Sequence, residues 1–275
     1  MTVVMPEIIR VGVVNFLNAA PMVDGISAVE GIEIVSKVPS DLIGSLEKGE
    51  VDVALASSID YQQTSMDLGI LPVGVLSSDG DSLTVKLCSR VPFKNVTEVH
   101  SDSDSHTSVA LLQIILHDLY KIKPTIIPTD IRSMNTCDSL WPETVLIIGD
   151  KVVSSACESE YEYTLDLGQA WKQQTGLPFV FAAWFCRMDV SEILVQKISM
   201  LLQRQLAFNK QRIEQIASAH ASGRGWEAPL AIQYLTKHMQ YDFTNSHVDS
   251  LQLFYSLAAS CDILKEVRQL QILGT

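Results

Sequence analysis

Two almost uncharged stretches, far apart in the chain, carry the side chains best suited to gripping a small polar molecule. Val14–Pro21 closes an apolar run and delivers Asn18, whose amide offers donors and an acceptor to a hydroxyl or carboxylate. Thr175–Trp184 brings Phe179, Phe181 and Trp184, flat apolar faces that can wall a ring. Hydroxyls mark the ends of elements between them. Ser57 and Ser58 follow the apolar run Val51–Ala56, and Thr84 lies at the start of Leu83–Ser89. Ser105, Thr107 and Ser108 open an amphipathic stretch, where free backbone N–H groups favour a carboxylate. Each residue also has a plain structural reading. Asn18, Ser105 and Asp150 are good helix caps. Ser57 and Ser58 suit a turn, and at least two of the three aromatics are expected in the core. His106 is a candidate general base because an unperturbed histidine has a pKa of about 6.5, but a loop histidine is more often just solvated. No residue stands out as a catalytic base.

These side chains need a scaffold, and the chain reads as alternating strands and helices. Ile8–Val14 is an apolar strand, and Ile32–Val38 and Val51–Ala56 read as the next two strands, separated by a helix opening near Asn18 and Pro21 and a second over Asp41–Lys48. That series predicts a parallel sheet with right-handed crossovers. Leu83–Ser89 is a further strand, and the polar stretch Asn95–Ser105 reads as a surface turn. Thr107–Tyr120 is a helix with an apolar stripe of Val109, Leu112, Ile115, Leu116 and Leu119. Ile126–Ile127 and Val145–Gly149 are strands of a second sheet, and from Ser191 onward the chain reads as helical, near 191–220, 227–240 and 247–266. An α/β start, an α/β middle and a return to the first part predict two lobes around a cleft. Residues 1–89 and 187–275 would form one lobe and 90–186 the other, with crossings near Ser89–Pro92 and Ala182–Arg187. A ligand would lie outside the carboxyl ends of the strands.

Composition narrows the class. The chain has 275 residues, 47% hydrophobic and 19% charged, enough to bury a substantial core. A net charge of −12 argues against nucleic acid and anionic membrane surfaces, though not against a small anion held by local N–H groups. Met1–Arg10 lacks the marks of a signal peptide, and no apolar run approaches the roughly 20 residues that span a bilayer. The five cysteines (Cys88, Cys137, Cys157, Cys186 and Cys261) are scattered, as expected of reduced thiols in the cytoplasm. With no glycine-rich phosphate loop and no metal-spaced ligand cluster, neither a cofactor nor a metal is expected.

In order along the chain, Asn15–Pro21, Pro39–Leu42, Gly49–Ile59, Ser105–Leu112, Ile147–Asp150, Asp166–Trp171 and Thr175–Trp184 together resemble the chorismate dehydratase family of the futalosine route to menaquinone. The resemblance implies a two-lobed α/β fold, similar to type 2 periplasmic binding proteins, with a central ligand cleft. It implies a cytoplasmic lyase that removes water from chorismate to give 3-[(1-carboxyvinyl)oxy]benzoate, with no cofactor, nucleic-acid or membrane partner. On this resemblance Asn18 and Thr84 are the expected catalytic residues. Ser57, Ser58, Ser105, Thr107, Ser108, Phe179 and Trp184 are the expected substrate contacts. One segment departs from the family. Gly80–Val85 lacks the usual Gly-Pro-Val-x-Ser-Val-like pattern, so Thr84 stands where a serine is expected. Threonine keeps the hydroxyl but adds a methyl and a stiffer χ1. The alternatives are a dihydroxynaphthoate synthase-like enzyme of the same route, a non-catalytic protein binding small anions, and a sensor domain.

Overall fold

The computed structural model describes residues 8–133, 141–154 and 160–274. Most of the N-terminal stretch considered above, together with Cys137 and Cys157, lies outside them.

Among the described residues ten strands form two sheets. In chain order they are β1 Ile9–Val14, β2 Ile32–Lys37, β3 Val53–Ser57, β4 Leu68–Ser78, β5 Val85–Ser89, β6 Glu98–Asp102, β7 Thr125–Thr129, β8 Thr144–Ile148, β9 Tyr163–Asp166 and β10 Phe179–Arg187. The first sheet runs β2-β1-β3-β10-β4 and the second β7-β6-β8-β5-β9. Both follow one plan. Three parallel strands meet a fourth that runs antiparallel to its neighbours: β10 between β3 and β4, and β5 between β8 and β9. The central strands β3 and β8 are buried throughout, which explains their apolar runs Val53–Ala56 and Val145–Ile148. The edge strands β2 and β7 are only partly buried.

The sheets move both expected crossings. The chain leaves the first sheet after Ser78 and returns to it at Phe179, so β5 belongs to the second sheet and β10 to the first. The composition break after Ser89 marks the end of β5, not a change of lobe. The polar segment expected as a surface turn contains β6, which pairs with β7 and β8. Its Ser101 and Asp102 are buried, with Asp102 ion-paired to Lys151, so polar residues are accommodated inside the sheet. The longest strand, β4, lies where the sequence pattern assigned no element.

Helices cover the sheets: α1 Ala20–Val23, α2 Pro39–Glu47, α3 Asp60–Gln63, α4 His106–Ile115, α5 Lys151–Ser154, α6 Leu167–Thr175, α7 Glu192–Lys210, α8 Ile213–Ala221, α9 Ala228–Gln233 and α10 Asn245–Ser260. Asn18 does not cap α1. It lies inside a short 3-10 turn, Leu17–Ala19, and Pro21 occupies the first turn of α1. Ser105 does cap α4, its Oγ accepting from the Ser108 N–H, and Ser191 caps α7 in the same way. The helix expected over 191–220 breaks at Arg212, between α7 and α8. Helices α7 and α8 pack on α1, and α7 also on β4, which ties the C-terminal helices to the first lobe. Where the chain crosses between sheets, α4, α6, α10 and β10 pack together around Trp171, Phe179 and Phe254. No helix among the described residues is long and apolar enough to cross a membrane.

Candidate functional site

A cavity of about 40 Å³ lies between the lobes, at the ends of strands from both sheets. On the first-lobe side it is lined by Val14, Phe16 and Asn18 around the end of β1, Pro39 of α2, and Ser57 of β3. Leu76 of β4, Phe181 and Ala182 of β10, and Met239 complete that side. Thr84 and Val85, Ser105 and Ser108, and Ile148 and Gly149 face them from the second lobe. Among the described lining residues no side chain is ionisable; the polar ones are one amide and four hydroxyls.

Two of these groups are buried without a hydrogen-bond partner: Asn18 Oδ1 and Ser57 Oγ. An unsatisfied buried polar atom costs about 1–3 kcal/mol, so both are poised to recover that energy from a ligand. Ser105 Oγ accepts from Ser108 N at 3.3 Å and from Ser108 Oγ at 3.1 Å, which leaves its own O–H free to donate into the cavity. The same corner is the N-terminus of α4, so its N–H groups add to the pull on a carboxylate.

Thr84 is held from two sides. Its hydroxyl meets that of Tyr234 at 2.9 Å. Burial pushes the Tyr234 phenol far above its ordinary pKa, so it stays a neutral hydroxyl. The Tyr234 ring stacks on Trp226 at 4.8 Å. Tyr234 escapes detection in the sequence because nothing local marks a tyrosine in a C-terminal helical stretch. On the other side, Asp166 caps α6 through Gln169 N at 3.0 Å and also accepts from Ser82 N and Ser82 Oγ, both at 2.9 Å. It thereby pins the Gly80–Thr84 loop, in which Leu83 takes a left-handed φ of 63°. Burial, reinforced by the Asp81 carboxyl, raises the Asp166 pKa to about 7.

Four expected contacts lie elsewhere. Ser58 Oγ donates to Val180 O at 2.8 Å and lies 3.3 Å from Thr107 Oγ1, which accepts from Ile59 N at 3.2 Å. Ser58 and Thr107 therefore join the lobes behind the cavity instead of lining it. Phe179 packs edge-to-face with Trp171, Phe181 and Phe254, and Trp184 is fully buried. The aromatic that reaches the cavity from β10 is Phe181. The register with β4 shifts between Val180 and Ala182, and a bulge of that kind re-aims one side chain while its neighbours stay in the core.

His106 is turned to another groove, with Gln113 and Pro128. Its Nδ1 meets the buried carboxylate of Asp60 at 2.7 Å, and that hydrogen bond raises its pKa. Asp150, expected as a cap, points across to the first lobe instead. His117, Asp118 and Cys261 lie close enough to share a cation, at the opposite end of the helix that starts at Ser105. None of the described residues lining the cavity offers a carboxylate, imidazole or thiolate to a metal.

Residues 9–260 match the family described as menaquinone biosynthesis. The chain is 28% identical over 248 residues to a chorismate dehydratase of Thermus thermophilus, covering 84% of this chain and 88% of the relative. It is 25% identical over 245 residues to a chorismate dehydratase of Campylobacter jejuni, covering 87% and 88%. Among solved structures, a protein of Archaeoglobus fulgidus superposes with a TM-score of 0.76 at 18% identity, covering 94% of this chain and 99% of that one. The periplasmic aliphatic sulphonate binding protein SsuA of Escherichia coli superposes with a TM-score of 0.66 at 16% identity, covering 98% and 95%. At such identities the likeness is one of fold, and the fold is the two-lobed, periplasmic-binding-protein-like α/β arrangement expected from the sequence.

Proposed function

The chain belongs to the menaquinone-biosynthesis family, and on that premise we propose that it is a chorismate dehydratase of the futalosine route, a lyase that forms 3-[(1-carboxyvinyl)oxy]benzoate. The observation that carries this reading is the pair of relatives named chorismate dehydratase, each aligned over more than four fifths of this chain. The cavity chemistry agrees with it. Chorismate is a dicarboxylate with a ring hydroxyl. The hydroxyls of Ser105 and Ser108 with the N-terminus of α4 suit one carboxylate, and Phe16 and Phe181 suit the ring. Asn18 and Thr84 suit the leaving hydroxyl.

In the reaction the C3–H and C4–O bonds break, and the C3–H electron pair completes the aromatic ring. The C3 proton leaves with the hydroxyl as water. Because no described side chain lining the cavity is ionisable, the reading assigns the base to the substrate. Its enolpyruvyl carboxylate takes the C3 proton and passes it to the departing hydroxyl. The protein then contributes orientation, worth up to roughly 7–11 kcal/mol in the best intramolecular cases. In this reading the cleft opens between a lobe of residues up to 78 and from 179 onward and a lobe of the residues between. The enzyme works in the cytoplasm on a dissolved substrate.

Incubating the purified protein with chorismate tests the assignment. Turnover gives an aromatic product lighter by one water, visible by mass and by ultraviolet absorbance. Saturable binding of chorismate with no such product overturns the lyase reading in favour of a small-anion binding protein.

A further inference from the structure

At the end of β8 the Asp150 carboxylate reaches out of its own lobe. Its two oxygens lie 3.3 and 3.2 Å from the Leu17 N–H, and Oδ1 also accepts the indole N–H of Trp226 at 2.8 Å. Leu17 belongs to the turn after β1, and Trp226 to the segment between α8 and α9; both are parts of the first lobe. Arg224, from the same segment, lies 3.9 Å from Oδ2. The surrounding corner is closely packed. The Phe16 ring fills the space where a Cβ on Gly149 would stand, and a Cβ on Gly225 would come within 3.2 Å of the Ser154 Cβ.

From this corner the contacts lead into the cavity. Trp226 stacks on Tyr234 with the rings 14° from parallel, and the Tyr234 hydroxyl meets Thr84, which lines the cavity. On the other branch, Leu17 directly precedes Asn18 in the turn that presents its amide. Both residues expected to act on the leaving hydroxyl thus connect to the same carboxylate, Asn18 through its chain neighbour Leu17 and Thr84 through three successive contacts.

We propose that Asp150 is a positioning residue that couples closure of the lobes to assembly of the site. When the lobes close, its carboxylate takes the Leu17 and Trp226 N–H groups. Trp226 then seats Tyr234 against Thr84, and Leu17 sets the turn that aims Asn18. With the lobes apart, both N–H groups lose this acceptor and neither Thr84 nor Asn18 is held. A carboxylate suits the place because both partners are donors, and charge-assisted bonds of this type are strong and directional. The catalytic consequence rests on the proposed function; the closure itself does not.

The test is Asp150→Asn, which keeps the shape but removes the charge and leaves one accepting oxygen where the carboxylate offers two. Three measurements accompany it: the indole ¹H–¹⁵N resonance of Trp226 (assigned with Trp226→Phe), the radius of gyration in solution, and kcat and KM with chorismate. The expected result is a shifted Trp226 indole resonance, a larger radius of gyration and a fall in kcat/KM of at least about tenfold, mostly in kcat. Trp226→Phe should reproduce much of the kinetic loss, and the double variant should add little to it, as expected of residues acting in one chain of contacts. An Asp150→Asn protein with an unchanged indole resonance and unchanged radius overturns the proposal. If that variant does not fold, Trp226→Phe decides, because it removes the donor and keeps a ring; wild-type dimensions and kcat in it overturn the proposal equally. If the wild-type protein does not turn over chorismate, the proposed function fails, yet the resonance and the radius still decide the closure.

Discussion

Replacing Gly149 with alanine should damage the site through one identifiable collision. Gly149 has φ +65°, and a Cβ built there falls 2.9, 3.0 and 3.1 Å from three atoms of the Phe16 ring. Two costs add. The left-handed backbone costs an alanine about 1–2 kcal/mol. The ring must also retreat by several tenths of an ångström, and pushing a packed aromatic off its rotamer costs roughly 0.5–1.5 kcal/mol. Gly176 separates the two costs. It has φ +72° with no atom within 4 Å of a built Cβ, so Gly176→Ala carries the backbone strain alone. Urea unfolding should therefore give a loss of about 1–2 kcal/mol for Gly176→Ala and about 1.5–3.5 kcal/mol for Gly149→Ala, with similar m-values. Because Phe16 and Gly149 both line the cavity, kcat/KM should fall at least about tenfold in Gly149→Ala, a loss of about 1.4 kcal/mol of transition-state stabilisation. It should stay at the wild-type value in Gly176→Ala. Equal stability losses in the two variants, with turnover retained in both, would refute the claim that Phe16 is pinned against Gly149 and shapes the site.

Two further outcomes are expected. Thr84→Ser should keep or raise activity, whereas Thr84→Val leaves the buried Tyr234 hydroxyl without its partner at 2.9 Å, at about 1–3 kcal/mol in stability. Valine equal to threonine in both urea unfolding and kcat/KM would assign Thr84 to the scaffold. The raised Asp166 pKa, about 7, gives a signed pH dependence. The folded state holds this proton more tightly than the unfolded chain, so its stabilising contribution is complete below about pH 4 and is lost as pH rises through about 7. The neighbouring Asp81 is shifted down, so its own contribution changes below that window. Asp166→Asn can still cap α6, and it should flatten the fall in stability between pH 5 and 8; an unchanged slope would exclude Asp166 as its source.

Local chemistry in the chain determined a good deal. The runs Val11–Val14, Val53–Ala56 and Val145–Ile148, within β1, β3 and β8, are apolar because strands covered on both faces meet no water, so they stand out in any reading. Ser105 before an apolar-striped helix announced both a cap and a candidate anion corner, and a chain that turns from α/β to helical announced two lobes. The sequence could also say which residues end strands, which is why Asn18, Ser57, Thr84, Ser105 and Ser108 could be named as a group. It could not say which way each side chain turns. Ser57 and Ser58 are neighbours of one type, and only packing sends the first to the cavity and the second to Val180. Phe181 reaches the cavity while Phe179 stays in the core because of a shift in register with β4, a strand more than a hundred residues earlier. Asp150 reads as a helix cap because a cap needs only its own next turn. Its partners Leu17 and Trp226 lie 133 and 76 residues away, and Tyr234 lies 150 residues from Thr84. Contacts of that span leave no period in the chain; they exist only once the chain has built the second sheet, returned to the first through β10 and brought the two lobes together.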